Sequence, residues 1–456
     1  MNAPEPPPLS PPPKPLTEAS LEGLDAQLRN LLARGGPLSA KQLVAATGKS
    51  QPSISLALGR LGSVVHRLGA ARSSRYTLTR SILGLPSAQN LLRTNAKGRT
   101  EIFGTLQFLQ QGEVHVRGTQ GHEWLGRGGL PWFLSSLRPQ GFLGRQYTHL
   151  RPDFPSDPDA WTTEQVLYMA ANHISDPPGA FALGAGHSQH EGLQVDADNI
   201  ARFYDHMATQ AGHSLPAASS AGGEQPKFTA RVQDQHVIVK FSPLCGTPFG
   251  ERWHNLLQLE HLANQVLQAN GIASAPTVLL RSKQRTYLQS TRFDRIGTQG
   301  KRHVVELSAL HDAFVQTPRQ HWVASCEALV QQKLLSPQGL ERIALQYLFG
   351  QYIGNTDMHF GNLAFFVDDV TKPQLEPTPV YDMLPMQWRP GVHSGELGCA
   401  PVQAQRQPAG YGALAERARH IATLYWQQAA QLRSLSSALR AAARSNAQLL
   451  ARNFQD

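Results

Sequence analysis

Three polar residues, Asp357, Asn362 and Asp382, stand in a D-x-x-x-x-N…D series whose types and spacing suit phosphoryl transfer. The first aspartate can accept or orient the proton of an attacking hydroxyl. The asparagine and the second aspartate supply the hard oxygen ligands that Mg²⁺ prefers. The metal in turn neutralises charge on the phosphates being cleaved, the electrostatic effect that dominates such catalysis. Asn, Asp and Gly are also ordinary turn residues, so each alone reads as a turn or a cap. The setting narrows the choice: LQYLFGQYI (Leu345 to Ile353) predicts a helix leading into the loop, and LAFFV (Leu363 to Val367) a buried strand leaving it.

Upstream elements could position a triphosphate against that series. The loop Gly222, Gly223, Glu224, Gln225, Pro226, Lys227 offers close backbone approach, clustered N–H groups and a cation. Read alone, it is equally a hairpin turn. The strand HVIVKF ends near Lys240, placed as a lysine that holds α/β-phosphates. Glu260 falls within an amphipathic helix, Arg252 to Ala269, where it either pairs with Lys240 or decorates the surface. A strand through Gln289, Ser290 and Thr291 has the order expected of a hinge whose backbone would hold adenine. Phosphate loop, lysine strand, glutamate helix, hinge, catalytic loop and metal aspartate then follow one another in protein-kinase order.

The chain of 456 residues is long enough for two or three cores, and 41% hydrophobic with 16% charged residues describes a globular protein. A formal charge of +9 suggests an anionic partner, nucleotide phosphates or nucleic acid. The three cysteines, Cys245, Cys326 and Cys399, form no C-x-x-C pair, which argues against zinc sites and a disulfide framework and fits a cytoplasmic setting. No apolar run is long enough to span a bilayer, and the proline-rich start lacks the centre of a signal peptide.

Residues 18–80 predict a winged helix-turn-helix. Leucines 21, 24, 28, 31 and 32 mark one helix, Ser39 caps a second, and Ser50 opens a third with Ile54, Leu56, Leu58 and Leu61 facing inward. Two short strands complete the wing, with Arg67, Arg72, Arg75 and Arg80 as its positive charge. Gln51, Ser53, Ser55 and Arg60 would face DNA from the third helix. A protein-docking or dimerisation domain is the alternative. Trp132 and Phe133 read as core.

GGEQPK, HVIVKF, TRFDR, GNTDMHFGN and PVYDM together resemble the HipA family of serine/threonine kinases, the toxins of bacterial toxin–antitoxin pairs. The N-terminal winged helix further resembles the HipH (YjjJ) branch, whose members carry such a domain on the same chain. The resemblance implies ATP and Mg²⁺ as cofactors, Asp357 as catalytic base, Asn362 and Asp382 as metal ligands, and Lys240 on the α/β-phosphates. His359 matches the family's catalytic-loop histidine. Ser220 matches the serine that family kinases phosphorylate on themselves, with Ser219 beside it. One departure is Gly361, where many relatives have lysine. Family substrates are proteins, aminoacyl-tRNA synthetases among them, and an antitoxin or dimer partner is expected.

The expected architecture is an α+β, two-lobed protein-kinase-like fold preceded by the winged helix-turn-helix. Its parts are a disordered tail (1–17), the DNA-binding domain (18–80), an N-terminal lobe (81–290) and a helical C-terminal lobe (291–456). The expected activity is transfer of the ATP γ-phosphate to a protein serine and to Ser220, with a fused domain that autoregulates the gene or acts as a built-in antitoxin. The alternative is a DNA-binding regulator whose kinase-like half senses a nucleotide.

Overall fold

The computed structural model describes residues 18–126, 128–184, 194–195, 199–213, 225–390, 398–402 and 410–452. The tail 1–17, Ser219, Ser220, Gly222, Gly223 and Glu224 lie outside the described residues.

Four hydrophobic clusters organise the chain. In the first, Leu24, Leu28 and Leu32 of α1 (Glu18–Gly35) pack on two shorter helices. A two-residue strand, β1 (Leu38–Ser39), precedes α2 (Ala40–Thr47), which starts at a capping box of Ser39 and Gln42. It ends on Gly48, whose φ of +67° is the left-handed turn-off that glycine adopts without strain. Ser50 caps α3 (Gln51–Leu61). Ile54, Ala57, Leu58 and Leu61 form the buried i, i+3, i+4, i+7 stripe of α3. Leu56, expected inward, falls off that stripe and is 65% exposed. β2 (Val65–Leu68) and β3 (Arg75–Leu78) complete an antiparallel sheet in the order β1-β3-β2.

The second unit is a five-stranded antiparallel sheet of β4 (Ala88–Thr94), β5 (Thr100–Phe108), β6 (Val114–Gly118), β7 (Glu123–Gly126) and, after α4 (Gly141–Arg145) and α5 (Thr163–Asn172), β8 (Phe181–Leu183). Phe133 is fully buried in its core, with Trp132 half-buried against it. This core does not stop at the sheet. It continues into Val305, Leu307, Trp322, Ile343 and Phe365, much later in the chain.

The third cluster joins α6 (Ile200–His213) to a sheet in the order β12-β13-β11-β10-β9. Its strands are β9 (Gln194–Val195), β10 (Lys227–Val232), β11 (Gln235–Phe241), β12 (Thr277–Arg281) and β13 (Thr286–Thr291). Between β11 and β12 runs α7 (Pro248–Ala269), capped by Thr247 and buried on nearly every side. Its apolar face belongs to the fourth cluster, with α10 (Pro337–Tyr352), α11 (Gly412–Gln431) and α12 (Ser437–Arg452). The remaining elements are the hairpin β14 (Arg295–Ile296) and β15 (Gly300–Lys301), then β16 (Val304–Glu306), α8 (Leu307–Leu310), α9 (Trp322–Gln331), β17 (Ala364–Phe366) and β18 (Glu376–Pro377). β16, β17 and β18 form one antiparallel sheet, in that order. The fold is α+β, and no helix among the described residues is long and apolar enough to cross a membrane.

Candidate active site

β11 carries Lys240 into the interior, and its register sets the site. Lys227 on β10 stands directly across from Lys240, so two like charges share one end of the hairpin. Directly opposed like charges destabilise a sheet unless anions compensate them. For Lys240 the anions come from two other elements. Its Nζ donates to Glu260 Oε1 of α7 at 2.5 Å and meets Asp382 Oδ1 at 2.7 Å. Both Lys240 and Glu260 are buried, so Glu260 serves the lysine and not the surface. Burial would lower the Lys240 ammonium, but Asp382 and Glu260 outweigh it and hold the charge above the usual lysine range. Burial also pushes the Glu260 carboxyl up, with Lys240 pulling against it. The Asp382 carboxyl resists the same burial effect because Lys240 and Lys227 bring it down to about 2. Glu260 Oε2 is buried without a hydrogen bond among the described residues.

The loop after α10 is built around Gly354, whose φ of +73° makes the turn. Buried Asn355 follows. Its Oδ1 accepts the Asp357 backbone N–H at 3.1 Å, and its Nδ2 donates to the Asp382 carbonyl at 3.2 Å. One side chain thus ties this loop to the segment bearing Asp382. A second tie runs from Tyr381, whose hydroxyl donates to the Gly361 carbonyl at 3.1 Å. Asn362 Nδ2 donates to the Asp357 carbonyl at 2.8 Å, which points its amide and leaves Oδ1 as an acceptor. The His359 ring accepts the Gly361 N–H at 3.1 Å, and Trp322 donates to the His359 carbonyl at 3.0 Å. The half-exposed Asp357 carboxylate has no hydrogen bond or ion pair among the described residues. Asp382 itself adopts φ +52°, a costly conformation for a residue with a Cβ, held here by Lys240 and Asn355.

A cavity of about 420 Å³ opens from this cluster. Lys240, Glu260, Asp382, Tyr381 and Gly361 line it, together with Thr229, Ile238, Val304, Ala364, Ser290, Thr291 and Phe293. Gln289 does not line it. Its backbone lies mid-sheet between Val239 and Val278, and its side chain accepts the Tyr204 hydroxyl at 2.8 Å. Of the three residues expected at the hinge, Ser290 and Thr291 line the cavity and Gln289 does not. Gln225 Nε2 donates to the Phe241 carbonyl at 2.6 Å, and the Pro226 carbonyl accepts the Phe241 N–H at 3.0 Å, so this end of the expected phosphate loop is pinned to β11.

Sequence reasoning missed the support behind the hinge. Arg292 and Arg295 are buried and share two carboxylates, Asp294 beside them and Asp176 from the second unit. The arginines overcome the burial that would raise both carboxyls and hold them below the usual range. Asp176, with Ser136 and Tyr147, also lines the cavity, so the second unit walls the cleft. The alternating charges of Arg292-Phe293-Asp294-Arg295 were the available signal. Asn355 and Glu306 were missed as well.

At the N-terminal end, Gln51 and Ser55 are exposed on α3. The Ser53 hydroxyl bonds the Ser50 cap at 2.9 Å. Arg60 forms an ion pair with Asp25 at 2.6 Å and Arg80 one with Glu164 at 2.5 Å. β2 is docked on the second unit through His66 and His115, whose rings meet at 2.9 Å, and the Gly69 N–H, which donates to Glu123 at 3.1 Å.

Comparison with known proteins decides the family. A profile described as HipA-like C-terminal domain matches residues 219–450, and one described as YjjJ-like toxin, middle domain, matches residues 85–191. Toxin YjjJ of Escherichia coli (strain K12) is 33% identical over 431 residues, covering 91% of this chain and 95% of that one. The chain belongs to the HipA-like toxins, in the YjjJ branch. Its membership places it in a family of kinase-type toxins. Among solved structures, the HipA–HipB toxin–antitoxin complex with operator DNA from Shewanella oneidensis MR-1 matches with a TM-score of 0.51 at 16% identity, over 79% of this chain and 95% of that one. At that identity the match shows a shared fold.

Proposed function

We propose that this HipA-like toxin is an ATP- and Mg²⁺-dependent protein serine/threonine kinase of two lobes, fused to a DNA-binding winged helix-turn-helix. The observation that carries the reading is Lys240, clamped between Glu260 and Asp382 on three separate elements and joined through Asn355 to Asp357.

The donor set fits the cofactor. Asp382 and the free Oδ1 of Asn362 are hard oxygen ligands, and the facing Lys227 and Lys240 suit a polyanion. Bound Mg·ATP supplies the transferable phosphoryl group. Lys240 would hold the α/β-phosphates, Lys227 and the Gly222 to Pro226 segment before it would add to the phosphate site, and Ser290 and Thr291, which line the cavity, would be near the base. His359, close enough to Asp382 to favour its charge, adds a group near the phosphates. Asp357, with no side-chain partner to neutralise it, takes the hydroxyl proton of the acceptor serine. Ser220 is the acceptor on the chain itself.

For the front domain, Gln51 and Ser55 on α3 are the side chains free to read bases, while Ser53 and Arg60 support the helix from within the domain. DNA binding there either autoregulates the gene or restrains the kinase. Purified protein incubated with radiolabelled ATP is expected to label itself at Ser220, and Asp357→Asn to abolish the label. Labelling that survives this substitution removes Asp357 from the chemistry. The second reading, a nucleotide sensor that transfers nothing, draws on Gly361, which places no cation in the catalytic loop. ATP binding without transfer, coupled to DNA affinity, decides for it.

A further inference from the structure

Glu306 is a carboxylate in the cleft that the proposed chemistry does not use. It closes β16 and lines the cavity with Gly361, Ala364, Tyr381 and Asp382. Its one hydrogen bond among the described residues comes from the Ser308 hydroxyl, at 3.2 Å, and none of their ion pairs includes it. Burial pushes its carboxyl up to about 7, with Ser308 acting against and the Asp159 charge adding to that effect. Among the described residues no cation is paired with it, although Lys240 lines the same cavity.

A carboxylate beside a polyanion site is repelled by the polyanion, so it gains free energy only from a positive partner. Gly361 fixes where that partner would enter. A side chain starting at Gly361 would begin 3.5 Å from Glu306 Oε2, and within 3.0 and 3.1 Å of the His359 ring. Having no side chain there leaves Glu306 reachable from the catalytic loop. Gly361 lies between Asp357 and Asn362, so a segment presenting its hydroxyl to Asp357 passes this gap.

Resting on the kinase reading above, we propose that Glu306 is a specificity-determining residue that binds a lysine or arginine next to the phosphoacceptor serine of the protein substrate. The stretch around Ser220, SLPAASSAGGEQ, contains no basic residue, so this contact favours a separate target over the chain's own serine.

The test uses the full-length protein and paired serine peptides that differ only by arginine or alanine at each position near the serine. At one position arginine is expected to raise kcat/KM by about tenfold, as one charge-assisted hydrogen-bonded contact allows. Glu306→Gln should bring the arginine-to-alanine ratio close to one, and Glu306→Asp should keep part of it. Gly361→Lys, which sets a cation beside the carboxylate, should flatten the ratio independently of any folding effect of the first variant. A wild-type enzyme that phosphorylates both peptides equally, or a preference unchanged in Glu306→Gln, overturns the assignment alone. No phosphate transfer to any peptide or to Ser220 overturns the kinase reading, and this assignment with it.

Discussion

Replacing Lys240 by methionine keeps most of the buried stem and removes the ammonium that Glu260 and Asp382 share. The Asp382 side chain is 28% exposed and can be solvated, but that of Glu260 is 4% exposed and cannot. Removing one partner of a buried ion pair costs about 3–5 kcal/mol. Protonation of Glu260 caps that cost. Its folded-state pKa, already raised in the native protein, rises further without the lysine. A carboxyl raised on folding loses stability as pH climbs from its unfolded value towards its folded one, by about 1.4 kcal/mol per pH unit. From an unfolded pKa of about 4.3, the ceiling is roughly 1.6 kcal/mol at pH 5.5 and roughly 5 kcal/mol at pH 8. Urea denaturation of wild type and Lys240→Met across that range reads the difference directly. The double variant Lys240→Met, Glu260→Leu removes both partners and should recover most of the stability without recovering ATP affinity. A loss that does not change with pH, or a double variant no more stable than the single one, would refute the clamp.

Three further outcomes follow from the same geometry. Asp176→Ala leaves buried Arg292 and Arg295 to share Asp294, and should cost about 3 kcal/mol or more by urea denaturation, with faster hydrogen exchange in residues 174–183. Asn355→Ala unties the Asp357 N–H and the Asp382 carbonyl. It should slow phosphate transfer by about tenfold or more while the protein stays folded, read by kcat beside circular dichroism. At the docked strand β2, burial and His115 lower the His66 pKa to about 4. A histidine depressed on folding contributes stability above its unfolded pKa of about 6.5 and loses it on acidification towards the folded one. With the intrinsic exchange rate at each pH divided out, amide protection factors at residues 65–68 and 114–117 should therefore fall between pH 6.5 and 4.5, and His66→Phe should blunt that response.

The elements of the C-terminal half were legible because their signals are local. Lys240 ends a strand, Glu260 sits on a helix, and Asp357, Asn362 and Asp382 occupy loops next to apolar segments that sequence period identifies. The capping residues Ser39 and Ser50 marked α2 and α3 for the same reason. What escaped notice depends on distant pairing. Asp176 reaches Arg292 across 116 residues, and Arg60 finds Asp25 across 35, so neither partner shows in a local pattern. That Gln289 turns its side chain to Tyr204 while Ser290 and Thr291 line the cavity also depends on a partner 85 residues away, which a local pattern does not show. Leu56 was placed inward by residue type, although helical phase puts it outside the stripe that Ile54, Leu58 and Leu61 share.

In the proposed function Asn362 and Asp382 converge on one metal ion next to Asp357. Mn²⁺ binding in the presence of ATP, followed by electron paramagnetic resonance, tests this most directly. Wild type should hold one nucleotide-dependent ion. Asn362→Ala and Asp382→Ala should each weaken it by about tenfold or more, as loss of a metal ligand or its support does, and Asp357→Asn should retain it. An ion held equally well by all four proteins, or by none, would contradict the convergence.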